Sequence, residues 1–317
     1  MYNNMNNIGV IGYKNQANKI INVLKKKNKR LYIYVKNKKK LINEKNITYT
    51  NNLEIIKKKC PIVFIASPSR THVKYIYFFS KDKKYIFCEK PPFTKLSDYK
   101  KLNELNSASK NKIYFNFNYK FSPFYIYCKK MLNEKEFGLP IHFFWHNSHG
   151  LAFKKKIKKK KNIFDNITGN LGIHFVNLYL NLFKKINKIN FNQFKILNNN
   201  IDNATINLQT KNISGTIIMS YSSVAKYYGF LMLTNSILEI KNGTTTLLYP
   251  RDNFDRFGNY VTPKKIIIKK FKNMSEHNQY TLLKSVNYFL SNVEKNKYFE
   301  IIDFNNAVKS NKIFLKN

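Results

Sequence analysis

The sequence predicts an α/β chain of two domains: a parallel-sheet domain over 1–122 and an α+β domain with a mainly antiparallel sheet over 123–317. Three observations carry this. Short apolar runs alternate with amphipathic stretches through the first third. From about residue 123 the strands crowd together and are joined by short turns. And 317 residues, 43% of them apolar, exceed what one core usually holds.

Residues 8–11 (IGVI) read as a strand, 16–27 as a helix, 31–35 (LYIYV) as a second strand and 52–58 as a short helix. A buried strand over 61–66 (PIVFIA), a helix over 71–80, a strand over 85–88 (YIFC), a helix over 95–109 and a strand over 113–118 complete the series. Strands alternating with helices of this length predict right-handed crossovers and a parallel sheet. After a helix near 123–134, a strand at 141–147 and a helix at 169–183, strands follow at 203–209, 213–221, 228–233, 236–241 and 244–248. Asn242-Gly243 is a hairpin signal between the last two. Helices near 276–295 and 303–315 end the chain.

The charge is extreme. Lys and Arg number 57 against 17 Asp and Glu, a net charge of +40. Specific nucleic-acid recognition is not the expected reading, because Arg, the preferred fork for phosphates and base edges, occurs only at Arg30, Arg70, Arg251 and Arg256. Abundant Lys and scarce Ala fit an AT-rich coding sequence. The lysine run 154–161 reads as an exposed loop. Cys60, Cys88 and Cys128 share no metal-binding spacing and suit a reducing cytoplasm. No apolar stretch approaches the length of a membrane span, and the opening residues lack a signal-peptide pattern. His142, His146, His149 and His277 have no ligating context, so no metal site is expected.

The first strand–helix turn reads Gly9-Val10-Ile11-Gly12-Tyr13-Lys14-Asn15-Gln16-Ala17. A dinucleotide fingerprint wants G-x-G-x-x-G/A here. Gly12 fills the tight-turn position and Ala17 the helix-packing position. Lys14 stands where a second glycine lets the backbone approach a pyrophosphate. At the end of the second strand, Val35-Lys36-Asn37-Lys38 offers no acid for a ribose, and its basic character leans toward a 2′-phosphate.

Residues 61–91 read PIVFIASPSRTHVKYIYFFSKDKKYIFCEKP. Ala66-Ser67-Pro68, Thr71-His72 and Glu89-Lys90-Pro91 follow in the order and spacing of the glucose-fructose oxidoreductase / inositol dehydrogenase / MocA family, which the sequence resembles. Residues 116–123 (NFNYKFSP) resemble the family's n-x-R-F-x-P segment, with Lys120 for Arg. Residues 169–178 (GNLGIHFVNL) resemble its G-x-L-x-D-x-G-x-H-x-x-D helix, with Gly172 and His174 retained. The resemblance implies a Rossmann dinucleotide-binding domain followed by a substrate-binding and oligomerisation domain with an open-faced sheet. It implies NAD or NADP as cofactor, a sugar, cyclitol or sugar nucleotide as substrate, and a homo-oligomer. Catalysis is carried over to Lys90 and His174, with Asn170 beside them. Cofactor contacts fall to Gly9, Gly12, Lys14, Asn15, Lys36, Ala66, Ser67, Pro68, His72, Glu89 and Lys90. Substrate contacts fall to Lys90, Tyr119, Lys120, Asn170 and His174.

The chemistry can be argued separately. Moving a hydride from a carbinol carbon requires a group that stabilises the alkoxide and one that relays its proton. Lys90 follows the strand 85–88 at the carboxyl edge where such folds bind ligands, and a histidine from the second domain facing it completes an acid–base pair. Asn170 and Asn177 stand where the family often has Asp, and Asn accepts no proton. With Lys14 they leave an alternative open: a member that binds cofactor or ligand without turnover.

Overall fold

The computed structural model describes residues 5–36, 44–154, 163–197, 200–249 and 254–316. The chain forms two units, Met1–Phe117 with Leu282–Lys316, and Asn118–Thr281 with the terminal residue.

The first unit runs β1 (Asn7–Ile11), α1 (Gln16–Lys25), β2 (Arg30–Tyr34), β3 (Ile47–Thr50), α2 (Leu53–Lys59), β4 (Ile62–Ile65), α3 (His72–Ser80), β5 (Tyr85–Glu89), α4 (Leu96–Asn103), α5 (Ser107–Lys110) and β6 (Ile113–Asn116). The sheet order is β3-β2-β1-β4-β5-β6. Each pair is parallel. Strand order reverses between β1 and β4, and in open α/β sheets that reversal opens the ligand crevice at the strands' carboxyl ends. β4 is buried along its whole length because helices cover both faces of a parallel sheet. The helix expected over 95–109 is two helices, since Asn106 caps α5 by accepting from the Ser109 amide.

The second unit holds α6 (Pro123–Asn133), β7 (Pro140–Ser148), α7 (Leu151–Lys154), α8 (Ile167–Phe183), then β8 (Lys188–Phe194), β9 (Asn203–Gln209), β10 (Ser214–Ser220), β11 (Lys226–Leu233), β12 (Ile237–Lys241), β13 (Thr244–Leu248) and β14 (Lys265–Lys269). They form one eight-stranded sheet, β14-β13-β12-β11-β7-β10-β9-β8. Every pairing is antiparallel except β7 with β10. The chain reaches β10 from β7 by way of α8, as a parallel pair requires a crossover. α8 lies on one face of the sheet, its Phe175 and Tyr179 packed against Trp145 and Phe143 of β7, all four buried. Asn242 and Gly243 turn β12 into β13 with positive φ at both positions.

The boundary expected at 122/123, with everything after it in the second domain, differs from these units. The division falls inside α9 (Met274–Glu294), and α10 (Ile301–Lys316) belongs with the first sheet. The cause is aromatic packing: the Phe289 ring lies 5.3 Å from Phe64 and 5.4 Å from Phe87, and Phe304 lies 5.4 Å from Phe115. Asn311 adds a hydrogen bond to the Phe93 carbonyl.

Candidate active site

The turn after β1 is held by geometry. Gly12 has φ +118°, and a Cβ there would sit 2.7 Å from the Ala66 carbonyl oxygen. Only glycine adopts that conformation against that neighbour. Asn15 precedes α1 with φ 43°, and no side chain caps the helix. The first-turn amides of α1 therefore have the character of an anion site. Ala17, in the first turn of α1, is buried, whereas Lys14 and Asn15 are exposed. Gly9 lies inside β1, where a Cβ would collide with Ile56, so its evident role is packing. Lys36 is exposed just past β2; Asn37 and Lys38 lie outside the described residues.

Ala66 extends β4 through its amide to the Ile11 carbonyl at 3.0 Å. Ser67, Pro68 and Thr71 form the turn into α3, with the Ser67 and Thr71 hydroxyls 2.7 Å apart. His72 opens α3 and is buried. Its Nδ1 lies 2.8 Å from the Pro91 carbonyl and its Nε2 2.9 Å from the Ser67 carbonyl. The ring thus ties the loop after β4 to the loop after β5. His72 sits where a cofactor contact was expected, and what it touches is backbone.

Glu89 ends β5 and is buried. Burial pushes its carboxyl up, against the opposing effect of hydrogen bonds from Asn116 and Gln16 and of the adjacent Lys90 charge. Lys90 follows, partly buried, ahead of a cis peptide to Pro91. Burial lowers the Lys90 pKa to about 8, and the Glu89 carboxylate opposes the fall. Gly12, Ala66, Ser67, His72, Glu89 and Lys90 thus gather at the carboxyl edges of β1, β4 and β5.

In the second unit, Tyr119 and Lys120 lie on a 3-10 turn, Asn118–Phe121. The Tyr119 ring stacks on Phe175 and lies 4.9 Å from the His174 ring. Burial holds the Tyr119 phenol up at about 12, so it is a donor and not a base at neutral pH. Asn170, one turn before His174 on α8, donates to the Tyr221 hydroxyl at 3.1 Å. Tyr221 in turn lies 4.6 Å from His149, ring to ring. Gly172 faces Ile206 and Met219 and is a packing residue. Asn177 is buried, and its carbonyl groups accept from Asn181.

Sequence reasoning missed several polar residues. Gln16 and Asn116 both bond Glu89, Ser285 backs Asn116, and His277 is fully buried among Tyr119, Tyr227 and Phe271. Asn116 alone carried a signal, as an amide inside an apolar strand. Among the described residues, no group of three or more His, Cys, Asp and Glu is placed to hold a metal ion, and no helix is long and apolar enough to cross a membrane. The lysines from 155 onward in the 154–161 run, and Arg251, lie outside the described residues.

Residues 6–117 match the model of the oxidoreductase family GFO_IDH_MocA, described as an NAD-binding Rossmann fold. Over these residues the first unit is similar to that family. Its dinucleotide is a nicotinamide cofactor, NAD or NADP, as the sequence led one to expect. YteT of Bacillus subtilis, an oxidoreductase by name, is 27% identical over 120 residues; the match spans 37% of this chain and 27% of that protein. Two solved structures share the fold over nearly the whole chain. One is an oxidoreductase from Agrobacterium radiobacter in complex with NAD+, L-tartaric acid and magnesium (TM-score 0.78, 14% identity, 98% of this chain and 96% of that one). The other is apo scyllo-inositol dehydrogenase from Lactobacillus casei (TM-score 0.75, 14% identity, 98% and 95%).

Proposed function

We propose that the chain is an NAD(P)-dependent oxidoreductase that interconverts a hydroxyl and a carbonyl on a sugar, cyclitol or sugar nucleotide. The observation that carries the reading is Lys90, a partly buried lysine at the carboxyl edge of β5 with its pKa lowered to about 8. A family that binds a nicotinamide supports it, as do relatives that include an inositol dehydrogenase.

The nicotinamide, when bound, supplies the hydride acceptor or donor. The uncapped first turn of α1 and the Gly12 turn hold its pyrophosphate. Lys36, with no acid beside it at the end of β2, favours a 2′-phosphate and so NADP. In oxidation, the Lys90 amine takes the hydroxyl proton as the carbon–hydrogen bond breaks. In reduction, the Lys90 ammonium returns it to the carbonyl oxygen. His174 is the second proton-transfer group and Asn170 orients a substrate hydroxyl, with Tyr119 and Lys120 as further substrate contacts. Lys90→Met tests the assignment: NADPH still quenches and binds, while turnover on a panel of polyols and ketoses is lost. Undiminished turnover refutes it.

A second reading is favoured by the Asn170–Tyr221 hydrogen bond, which engages an amide unable to accept a proton. It is a member that binds dinucleotide without turnover, supported if NADPH binds and no panel substrate reacts. The proposal includes a homo-oligomer. On one face of the second unit's sheet, Phe144, Tyr228, Phe230 and His142 form a partly exposed ladder, with Phe144 stacked on Phe230 at 5.1 Å. Light scattering at the elution peak reads the state directly. A cytoplasmic location belongs to the same reading, supported by three buried cysteines without disulfides.

A further inference from the structure

A chain of hydrogen bonds inside the first unit ends on Glu89. Asn116 Nδ2 donates to Glu89 Oε1 at 2.7 Å, and Gln16 Nε2 donates to the same oxygen at 3.0 Å. The Ser285 hydroxyl donates to Asn116 Oδ1 at 2.7 Å. The Tyr114 hydroxyl lies 3.0 Å from Ser285 Oγ. Glu89, Tyr114, Asn116 and Ser285 are all buried.

The donors run one way. Ser285 has a single proton, and giving it to Asn116 Oδ1 leaves its oxygen to accept from Tyr114. That bond also fixes the Asn116 amide with its NH2 group toward Glu89. Gln16 adds a second amide donor. Two N–H groups on one carboxyl oxygen call for an acceptor, which a carboxylate supplies best. Donor chains of this kind strengthen one another where water is excluded. The five bonded residues come from four elements, α1, β5, β6 and α9, so the chain also links the first residue of α1 to the strand that leads into Lys90.

We propose that Gln16, Asn116 and Ser285 are positioning residues: they hold Glu89 as an anion beside Lys90 and lock the Gly12–Asn15 turn to the strand edge that presents the Lys90 ammonium. The consequence for turnover rests on the proton-transfer role proposed for Lys90; the electrostatic claim does not. Other titratable groups in reach of Glu89 are Cys88 and Tyr114, and His72 faces Lys90. Burial keeps Cys88 and Tyr114 neutral and favours neutral His72, so Glu89 is the charge that matters to Lys90.

The test is competitive acetylation with acetic anhydride from pH 6 to 10, read on the Lys90 peptide by mass spectrometry. Only the unprotonated amine reacts. Without its donors Glu89 takes up a proton more readily, the negative charge beside Lys90 is lost, and the Lys90 midpoint falls. Asn116→Leu and Gln16→Met are expected to lower it by roughly half a unit, about a threefold rise in Lys90 labelling at pH 7. Ser285→Ala is expected to shift it in the same direction by less. If Asn116→Leu fails to fold, Ser285→Ala, which removes a single oxygen, decides. A Lys90 midpoint equal to the parent's in every variant that folds overturns the proposal. Labelling needs neither cofactor nor substrate, so this can fail while dinucleotide binding stands, and the reverse.

Discussion

The imidazole of His72 bridges two backbone carbonyls, with Nδ1 2.8 Å from Pro91 and Nε2 2.9 Å from Ser67. A neutral ring has one N–H, so it serves one carbonyl fully, and burial favours that neutral form. The bridge joins the loop after β4 to the loop after β5 and so fixes where the chain turns after Lys90. His72→Leu removes the donor and leaves buried carbonyls short of one. It is expected to cost about 1–3 kcal/mol in urea unfolding. An unchanged midpoint would mean that α3 packing alone holds the turn.

His277 should make the protein acid-sensitive. It is fully buried, and burial lowers its pKa from 6.5 to about 4. The folded state therefore binds its proton later than the unfolded state. Stability is whole above pH 6.5 and declines as pH falls toward 4. The loss is about 2 kcal/mol by pH 5 and about 3 kcal/mol in full. Urea titrations at pH 7 and pH 5 measure it, and His277→Phe should flatten the difference. An equal pH dependence in that variant would rule His277 out as the source.

Gly12→Ala should be damaging well beyond its size. The new methyl meets the Ala66 carbonyl, and φ +118° is forbidden to alanine. We expect a destabilisation of about 1–3 kcal/mol and at least a tenfold weaker NADPH affinity by fluorescence titration. Lys14→Ala, at an exposed position, should leave the melting temperature in place.

With the proton-transfer role proposed for it, Lys90 should set opposite pH limbs for the two directions of reaction. With its pKa lowered to about 8, the amine needed for oxidation accumulates as pH rises through 8, and the ammonium needed for reduction disappears over the same range. The kcat profiles for oxidation and reduction should therefore cross near that value. Parallel profiles would assign the proton to another group.

Much of the fold was legible because parallel strands are buried on both faces and read as continuous apolar runs: IVFI and YIFCE leave little choice. The strands that escaped notice were β3, β8 and β14, three of the four at sheet edges. β8 alternates exposed and half-buried side chains and carries no apolar run, and the run in β14 is only Ile266–Ile268 between lysines, almost wholly exposed. The return of α9 and α10 to the first unit was hidden because Phe289 and Phe304 read as core residues of either sheet. In the site, Gly12, His72 and Lys90 were visible through motif spacing. The Gln16–Glu89–Asn116 contacts were not, since hydrogen bonds across 73 and 27 residues leave no local pattern.

The role proposed for Lys90 is proton transfer at the oxygen of the carbon that exchanges a hydride with a nicotinamide held by the first unit. A crystal structure with bound NADP+ tests it most directly. The pyrophosphate is expected over the Gly12–Asn15 turn and the Lys90 ammonium beside the nicotinamide ring. A dinucleotide bound with its nicotinamide remote from Lys90 would contradict it.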